Sequence, residues 1–186
     1  MARNKKDKKK RGSATIVPPN FGEMKEGQNI TLISASNDRI EVPIDVSTLS
    51  IRLNVILLKR TPEEKADSIS LEVTTPTLRR IVSWLLHYRE HPLVRNLRQE
   101  NRSLPRFDDE LFSNLPTNDL LDLVNAAHYM GIRGLMDATC KKIAGLIKGQ
   151  TTEQMRQTLN ITNDFTPEEE DRIRSENLAL SAMYGD

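Results

Sequence analysis

Few side chains of this sequence could do chemistry, and they are widely spaced. The thiol and imidazole groups are limited to Cys140, His87, His91 and His128. A zinc site needs about four ligands at short spacings, and these residues do not supply such a set. The sequence also contains no glycine-rich phosphate loop, nucleophile elbow or HExxH motif. We therefore expect no metal, no cofactor and no catalytic residue, which predicts a protein that is not an enzyme.

Cys140 is the one candidate nucleophile. It falls on the apolar stripe of "LMDATCKKIAGLIKG", where a thiol is normally buried and inert. We expect Cys140 to be buried, and an enzyme with cysteine chemistry would require the opposite.

Two acidic clusters, at residues 108–110 and 168–171, could suggest paired carboxylates or a cation site. Neither has the alternating oxygen-ligand spacing of a calcium loop. Acidic side chains near the start of a helix complement its dipole. We therefore predict that both clusters mark helix N-termini.

The second cluster belongs to a strong helix start within "NDFTPEEEDRIRSEN". Thr166 and Glu169 have the spacing of a capping box, and Pro167 lies where no backbone N–H is needed. Beyond this start the apolar side chains are Ile173, Leu178 and Leu180. A helix with so thin an apolar stripe is marginal in water, so it either frays or is covered by a partner.

The elements that precede this helix begin with strands. "NITLIS" and "RIEVPID" predict a hairpin around "SASND", with Pro43 limiting the second strand to an edge or a short pairing. "SISLEV" predicts a third strand with Ile69, Leu71 and Val73 on one face.

Helices dominate the remainder of the sequence. "STLSIRLNVILLK" has Ile51, Val55 and Leu58 at helical spacing, and "TTPTLRRIVSWLLHYREHP" predicts a helix capped by Thr75. "PTNDLLDLVNAAHYMG" predicts a helix that ends at Gly131. Strands early and helices late indicate an α+β fold.

Two further helices are predicted before the last one. "LMDATCKKIAGLIKG" continues the helical pattern, and a capping box from Thr151 to Gln154 starts a short helix. Trp84 and Tyr88 share one side of the "TTPTLRRIVSWLLHYREHP" helix, and we expect this aromatic pair in the core.

The charge of the chain is distributed unevenly. Residues 1–11 hold seven of the 27 basic residues and one of the 26 acidic residues, so the remainder has 20 basic against 25 acidic residues. We predict that residues 1–27 form a disordered basic extension. The acidic balance of the remainder argues against nucleic acid as a partner.

Hydrophobicity and cysteine content bear on location. No apolar run approaches the roughly 20 residues that cross a bilayer, so we expect no membrane segment. No apolar run follows the basic N-terminus, so we also expect no signal peptide. A single cysteine excludes an internal disulfide and suits a reducing compartment, which predicts the cytoplasm and nucleus.

Residues 125–177, "NAAHYMGIRGLMDATCKKIAGLIKGQTTEQMRQTLNITNDFTPEEEDRIRSEN", resemble the C-terminal half of the Skp family, the adaptor subunit of SCF ubiquitin ligases. The segments "NITLIS", "IEVPID" and "LRRIVSWLLHY" are similar to the N-terminal part of that family. The resemblance implies an α+β BTB/POZ domain at residues 28–131 and a helical extension at residues 132–186 that docks F-box helices. The implied function is to link a cullin scaffold to an F-box protein in ubiquitin-dependent degradation.

The resemblance also implies site residues. The F-box surface would consist of Leu121, Val124, Asn125, Leu159, Ile161, Ile173, Asn177 and Leu180. The cullin-facing side would include His128 and Tyr129, and an exposed Tyr129 would be the stronger anchor.

The sequence departs from the Skp pattern at several places. Ala179 stands where the family typically has tryptophan, and the loss of an interface tryptophan often costs about 2 kcal/mol or more. The loop "HPLVRNLRQENRSLP" carries Arg95, Arg98 and Arg102 where the family is rich in proline and acidic residues. These departures suggest a divergent paralogue.

Three alternatives remain beside the adaptor. The chain could be a self-assembling BTB scaffold, with a homodimer formed through the F-box surface. An elongin-C-like adaptor would explain the BTB half but lacks the extension that begins near Arg133. A ligase that carries ubiquitin itself would need Cys140 exposed and reactive.

Overall fold

The computed structural model describes residues 28–61, 68–92 and 103–184. The predicted basic extension at residues 1–27 lies outside the described residues. So do the three arginines of the loop, at residues 95, 98 and 102.

Within the described residues a three-stranded sheet has the order β2-β1-β3, with β1 at Asn29–Ile33, β2 at Arg39–Pro43 and β3 at Ile69–Ser70. β1 and β2 are antiparallel, with Leu32 opposite Ile40, which confirms the hairpin. Pro43 ends the edge strand β2, where its missing N–H costs no sheet bond. β3 runs parallel to β1 and is shorter than predicted, although all three alternating side chains of "SISLEV" are buried.

Seven helices lie in the described part of the chain. They are α1 (Ile51–Leu58), α2 (Thr75–Glu90), α3 (Arg106–Phe112), α4 (Thr117–Met130), α5 (Arg133–Ile147), α6 (Thr152–Leu159) and α7 (Pro167–Tyr184), and a 3₁₀ helix at Ile44–Leu49 precedes α1. The 3₁₀ helix was not predicted, and for α3 only a helix start at the acidic cluster was predicted, because such short segments show no clear apolar period. The cap of α2 is Thr74 and not Thr75.

The core lies where α2 packs on α4 and on the 3₁₀ helix. Trp84 and Tyr88 are 2% and 5% exposed, with ring centroids 4.4 Å apart, which confirms the predicted core pair. Ile132 and Leu135 belong to the same buried cluster. The proposed domain boundary at residue 132 therefore crosses a continuous core and stays a prediction.

A buried carboxylate joins α3 to α2. Asp108, in the first turn of α3, is 2% exposed and accepts a hydrogen bond of 3.0 Å from the Trp84 indole N–H. Burial raises the pKa of Asp108, and the bond from Trp84 counteracts part of that rise. Burial, and then the charge of Asp108, raises the pKa of Tyr88. Asp108 therefore does begin a helix, as predicted, but it is a core residue.

The expectation that Cys140 is buried is wrong, and the apolar spacing noted in α1 does not mark its buried face. Ile51, Val55 and Leu58 are 55%, 44% and 60% exposed, because α1 buries Leu53 and Leu57 instead. Cys140 is exposed, because α5 turns Leu135, Ala138 and Thr139 toward the core and the next side chain points about 100° away. In the described ranges no helix is both long and apolar enough to cross a membrane.

Candidate docking surfaces

α7 begins with the predicted capping box. The Thr166 N–H donates to Glu169 Oε2 at 2.9 Å, and the Glu169 N–H donates to Thr166 Oγ1 at 3.3 Å. Pro167 occupies the first helical position. None of the 18 residues of α7 is buried. The first turn of α7 is therefore well capped by its own sequence, and the other described elements cover little of the helix.

The exposed apolar side chains of α7 are large. Leu178, Leu180, Met183 and Tyr184 are 67%, 50%, 75% and 81% exposed. Ile173 is half-buried. A helix that leaves this much apolar surface in water normally has another surface to bury it against.

A groove separates α6 from α7, and it brings together two of the predicted F-box residues, Ile173 and Asn177. The other side chains that line it are Thr152, Glu153, Arg156, Phe165, Glu170, Arg174, Leu178 and Ser181. An aromatic and two aliphatic side chains beside charged groups suit an amphipathic partner helix.

Glu170 connects α7 to the preceding helix and loop. It accepts from Arg156 Nη1 at 3.4 Å and from Asn163 Nδ2 at 2.8 Å. The Arg156 guanidinium also lies 5.9 Å from the centroid of the Phe165 ring. Sequence reasoning missed this arrangement, because nothing in the local pattern pairs Arg156 with a side chain of the next helix.

The other predicted F-box residues lie outside this groove. Ile161, 55% exposed, lines a hollow beside the groove that shares Glu153 and Arg156 with it. Leu159 is half-buried at the end of α6. Leu180 and Ala179 are exposed but do not line the groove between α6 and α7.

α4 carries the remaining predicted residues on one side. Leu121 and Val124 are half-buried and Asn125 is exposed. Asn125 and Tyr129 line the same hollow, together with Glu72 and Asp122. The predicted F-box and cullin residues of α4 are therefore neighbours, one helical turn apart.

Tyr129 is half-buried and held at two points. Its hydroxyl accepts from the Glu72 backbone N–H at 3.5 Å, and the Arg52 guanidinium lies 3.9 Å from the ring centroid. His128 is exposed beside it and lines a second hollow with Ile51 and Tyr129. The ring thus separates an acidic hollow from an apolar one.

Comparison with known proteins identifies the family. The profile described as "Skp1 family, dimerisation domain" matches residues 133–179. A Caenorhabditis elegans "Skp1-related protein" is 35% identical over 83% of this chain and 93% of its own length. The chain belongs to the Skp1 family. The α+β architecture fits the BTB/POZ fold that the Skp1 resemblance implied.

Two fungal relatives carry functional names. The "E3 ubiquitin ligase complex SCF subunit sconC" of Aspergillus terreus is 32% identical over 79% of this chain and 94% of its own length. The protein of that name from Talaromyces stipitatus is 34% identical over 80% of this chain and 94% of its own length. The region that matches the Skp1 family profile contains all of α5 and α6 and most of α7, and it includes every residue that lines the groove except Ser181.

Proposed function

We propose that this chain is a non-enzymatic adaptor that links a cullin scaffold to an F-box substrate receptor in an SCF ubiquitin ligase. Membership of the Skp1 family and the names of the fungal relatives support this role. The observation that carries it is α7, a capped helix with no buried residue beside a groove of its own. The missing contacts of α7 are those that an F-box helix supplies.

The F-box surface extends, on this proposal, from the α6–α7 groove to α4. Ile173 and Asn177 contribute the groove, Ile161 the adjoining hollow, and Leu159 the end of α6. Leu121, Val124, Asn125 and Leu180 form its margins. The helical extension at residues 132–186 supplies most of this surface, and residues 28–131 supply the BTB/POZ domain that holds it.

A peptide containing an F-box tests this surface by isothermal titration calorimetry. We expect micromolar or tighter binding by the full chain and a loss of at least about tenfold in Ile173→Asp, because a charge would enter an apolar contact. Arg172→Asp is the matched control, since Arg172 is exposed on α7 and does not line the groove. Equal binding by both variants, or no binding by the wild-type chain, would contradict the proposal.

The cullin contact is proposed at His128 and Tyr129. The ring of Tyr129 is partly accessible and fixed in place, which lowers the entropy cost of binding. Tyr129→Ala should weaken binding of a cullin N-terminal domain by about tenfold or more. Tyr184→Ala, at an exposed tyrosine near the end of α7, should not.

Self-assembly is the second candidate function. Two exposed apolar surfaces favour it, one on α7 and one formed by Ile51, Val55 and Leu58 on α1. A homodimer through the F-box surface would bury the first of them. Light scattering that finds only monomer from micromolar to millimolar concentration would exclude this function, whereas a dimer that an F-box peptide dissociates would support it.

The cytoplasm and nucleus are the proposed location. The single cysteine and the basic N-terminal segment support this proposal. Fluorescent fusions of the full chain and of a chain lacking residues 1–11 test it. Loss of the nuclear signal in the shortened chain would support nuclear import, and an extracellular full-length fusion would contradict the proposed location.

A further inference from the structure

The side of α1 that faces solvent lies directly beside Tyr129. Ile51, Arg52 and Val55 of α1 line one hollow with His128, Tyr129 and Gly131. Gly131 permits this approach, because a Cβ atom at its position would lie 2.7 Å from Ile51 Cβ. The proposed cullin contact therefore continues from the end of α4 onto α1.

Arg52 is the charged member of this surface. Its guanidinium lies over the face of the Tyr129 ring, 3.9 Å from the centroid, in cation–π geometry. The ring is held from the opposite end of the side chain, where the Glu72 N–H donates to the hydroxyl. Arg52 and the Glu72 N–H therefore contact the Tyr129 side chain at two separate points, its ring face and its hydroxyl.

The charge of Arg52 is not neutralised within the described residues. Arg52 is exposed, and no carboxylate of the described chain forms an ion pair with it. A guanidinium stacked on a ring keeps its N–H groups available at the edge of the stack. The surface thus combines an apolar hollow, a tyrosine and an unpaired cation with donors at fixed positions.

We propose that Arg52 is a positioning and specificity-determining residue of the cullin-facing surface, which holds Tyr129 and selects a partner helix that carries a carboxylate beside its apolar ridge. This inference rests on the proposed adaptor function. The exposed Ile51 and Val55 receive the apolar ridge, and Arg52 pairs with the carboxylate at the margin of the contact.

The test measures the dissociation constant of a cullin N-terminal domain for the full chain at several salt concentrations. We expect Arg52→Ala to weaken binding about tenfold at low salt and to flatten its salt dependence, because a charge pair is lost. Arg52→Lys should retain the salt dependence and recover only part of the affinity, because an ammonium does not stack as a planar guanidinium does. Arg79→Ala, at an exposed arginine of α2, is the matched control and should behave as wild type.

The outcomes separate this inference from the adaptor proposal. If Tyr129→Ala loses affinity while Arg52→Ala binds within about twofold of wild type, the role of Arg52 is wrong and the adaptor proposal stands. If Arg52→Ala loses cullin affinity but keeps the salt dependence of wild type, the proposed role of Arg52 is also wrong, since Arg52 would then contribute packing and no charge pair. If the wild-type chain binds F-box peptide but no cullin domain, the proposed role of Arg52 and the proposed cullin contact are both wrong. Retained F-box binding in each variant shows that the variant is folded.

Discussion

Gly131 ends α4 with a φ of 67°, in the left-handed region that favours glycine. A side chain there would also meet Ile51. We predict that Gly131→Ala lowers the free energy of unfolding by about 1–3 kcal/mol, through backbone strain and that contact. Gly145 lies within α5 with nothing near its missing Cβ, so Gly145→Ala should raise stability by about 0.5–1 kcal/mol. Urea unfolding of both variants checks the pair, and a destabilised Gly145→Ala or a neutral Gly131→Ala would contradict it.

Asp108 makes stability depend on pH. Its pKa is raised in the folded state by burial, so between the ordinary aspartate value, about 3.9, and the raised value the folded chain binds more protons than the unfolded chain. Stability contributed by this group is therefore present at low pH and lost as pH rises through that window. Asp108→Asn keeps an acceptor for Trp84 and should lack this loss.

Chemical unfolding of wild type and Asp108→Asn from pH 4 to pH 7 measures the effect. We expect the stability of Asp108→Asn relative to wild type to increase with pH. Asp137→Asn, at an exposed carboxylate of α5, is the control and should follow the wild-type curve. Parallel curves for wild type and Asp108→Asn would show that burial of Asp108 does not penalise its charge.

At the scale of the element, α7 depends on its first turn for its position. Arg156 and Glu170 form an ion pair whose side chains are 21% and 33% exposed, so solvent screens it less than the Arg174–Asp171 pair of the same helix. We predict that Glu170→Ala weakens F-box peptide binding about fivefold, a cost of about 1 kcal/mol, because α7 loses its preset orientation.

Glu168→Ala is the matched control for this prediction. It removes the same charge from the same helical turn, and Glu168 is exposed. Calorimetric titration of both variants gives the comparison, and cullin binding should be unchanged in each. Equal affinities for the two variants would mean that the Arg156 contact does not set the orientation of α7.

The elements that were predicted correctly have strong local signals. The hairpin follows from alternation around a turn, α2 and α4 from a clear apolar period, and the starts of α6 and α7 from capping boxes. α1 could not be oriented in this way, because six of its eight residues are apolar and several faces are equally hydrophobic. Tertiary packing alone decides that Leu53 and Leu57 are buried.

The site residues differ in the same way: some have a local sequence signal and others depend on tertiary packing. Ile173 and Asn177 could be placed on one face from helical spacing, and the structure brings them together in the groove. The contacts of Arg52 with Tyr129, and of Arg156 with Glu170, join separate elements and leave no trace in a local pattern. The prediction that Cys140 is buried was wrong for a related reason, since an apolar stripe on a helix does not show how much of that stripe a neighbouring element covers.

At the scale of the whole molecule, the two proposed contacts meet on α4 but otherwise use different helices. Tyr129 and α1 form one surface, and α6 with α7 forms the groove of the other. We predict that saturation with F-box peptide leaves the cullin dissociation constant within about twofold, since few groups are shared. Titration of the cullin domain with and without peptide checks this, and competition between the two would contradict it.

The adaptor account is tested most directly by size-exclusion chromatography of the full chain mixed with a cullin N-terminal domain and an F-box peptide. The account predicts a single peak that contains all three components in equal amounts. A peak that excludes either partner, while each component alone is folded, would show that the chain does not link a cullin to an F-box protein.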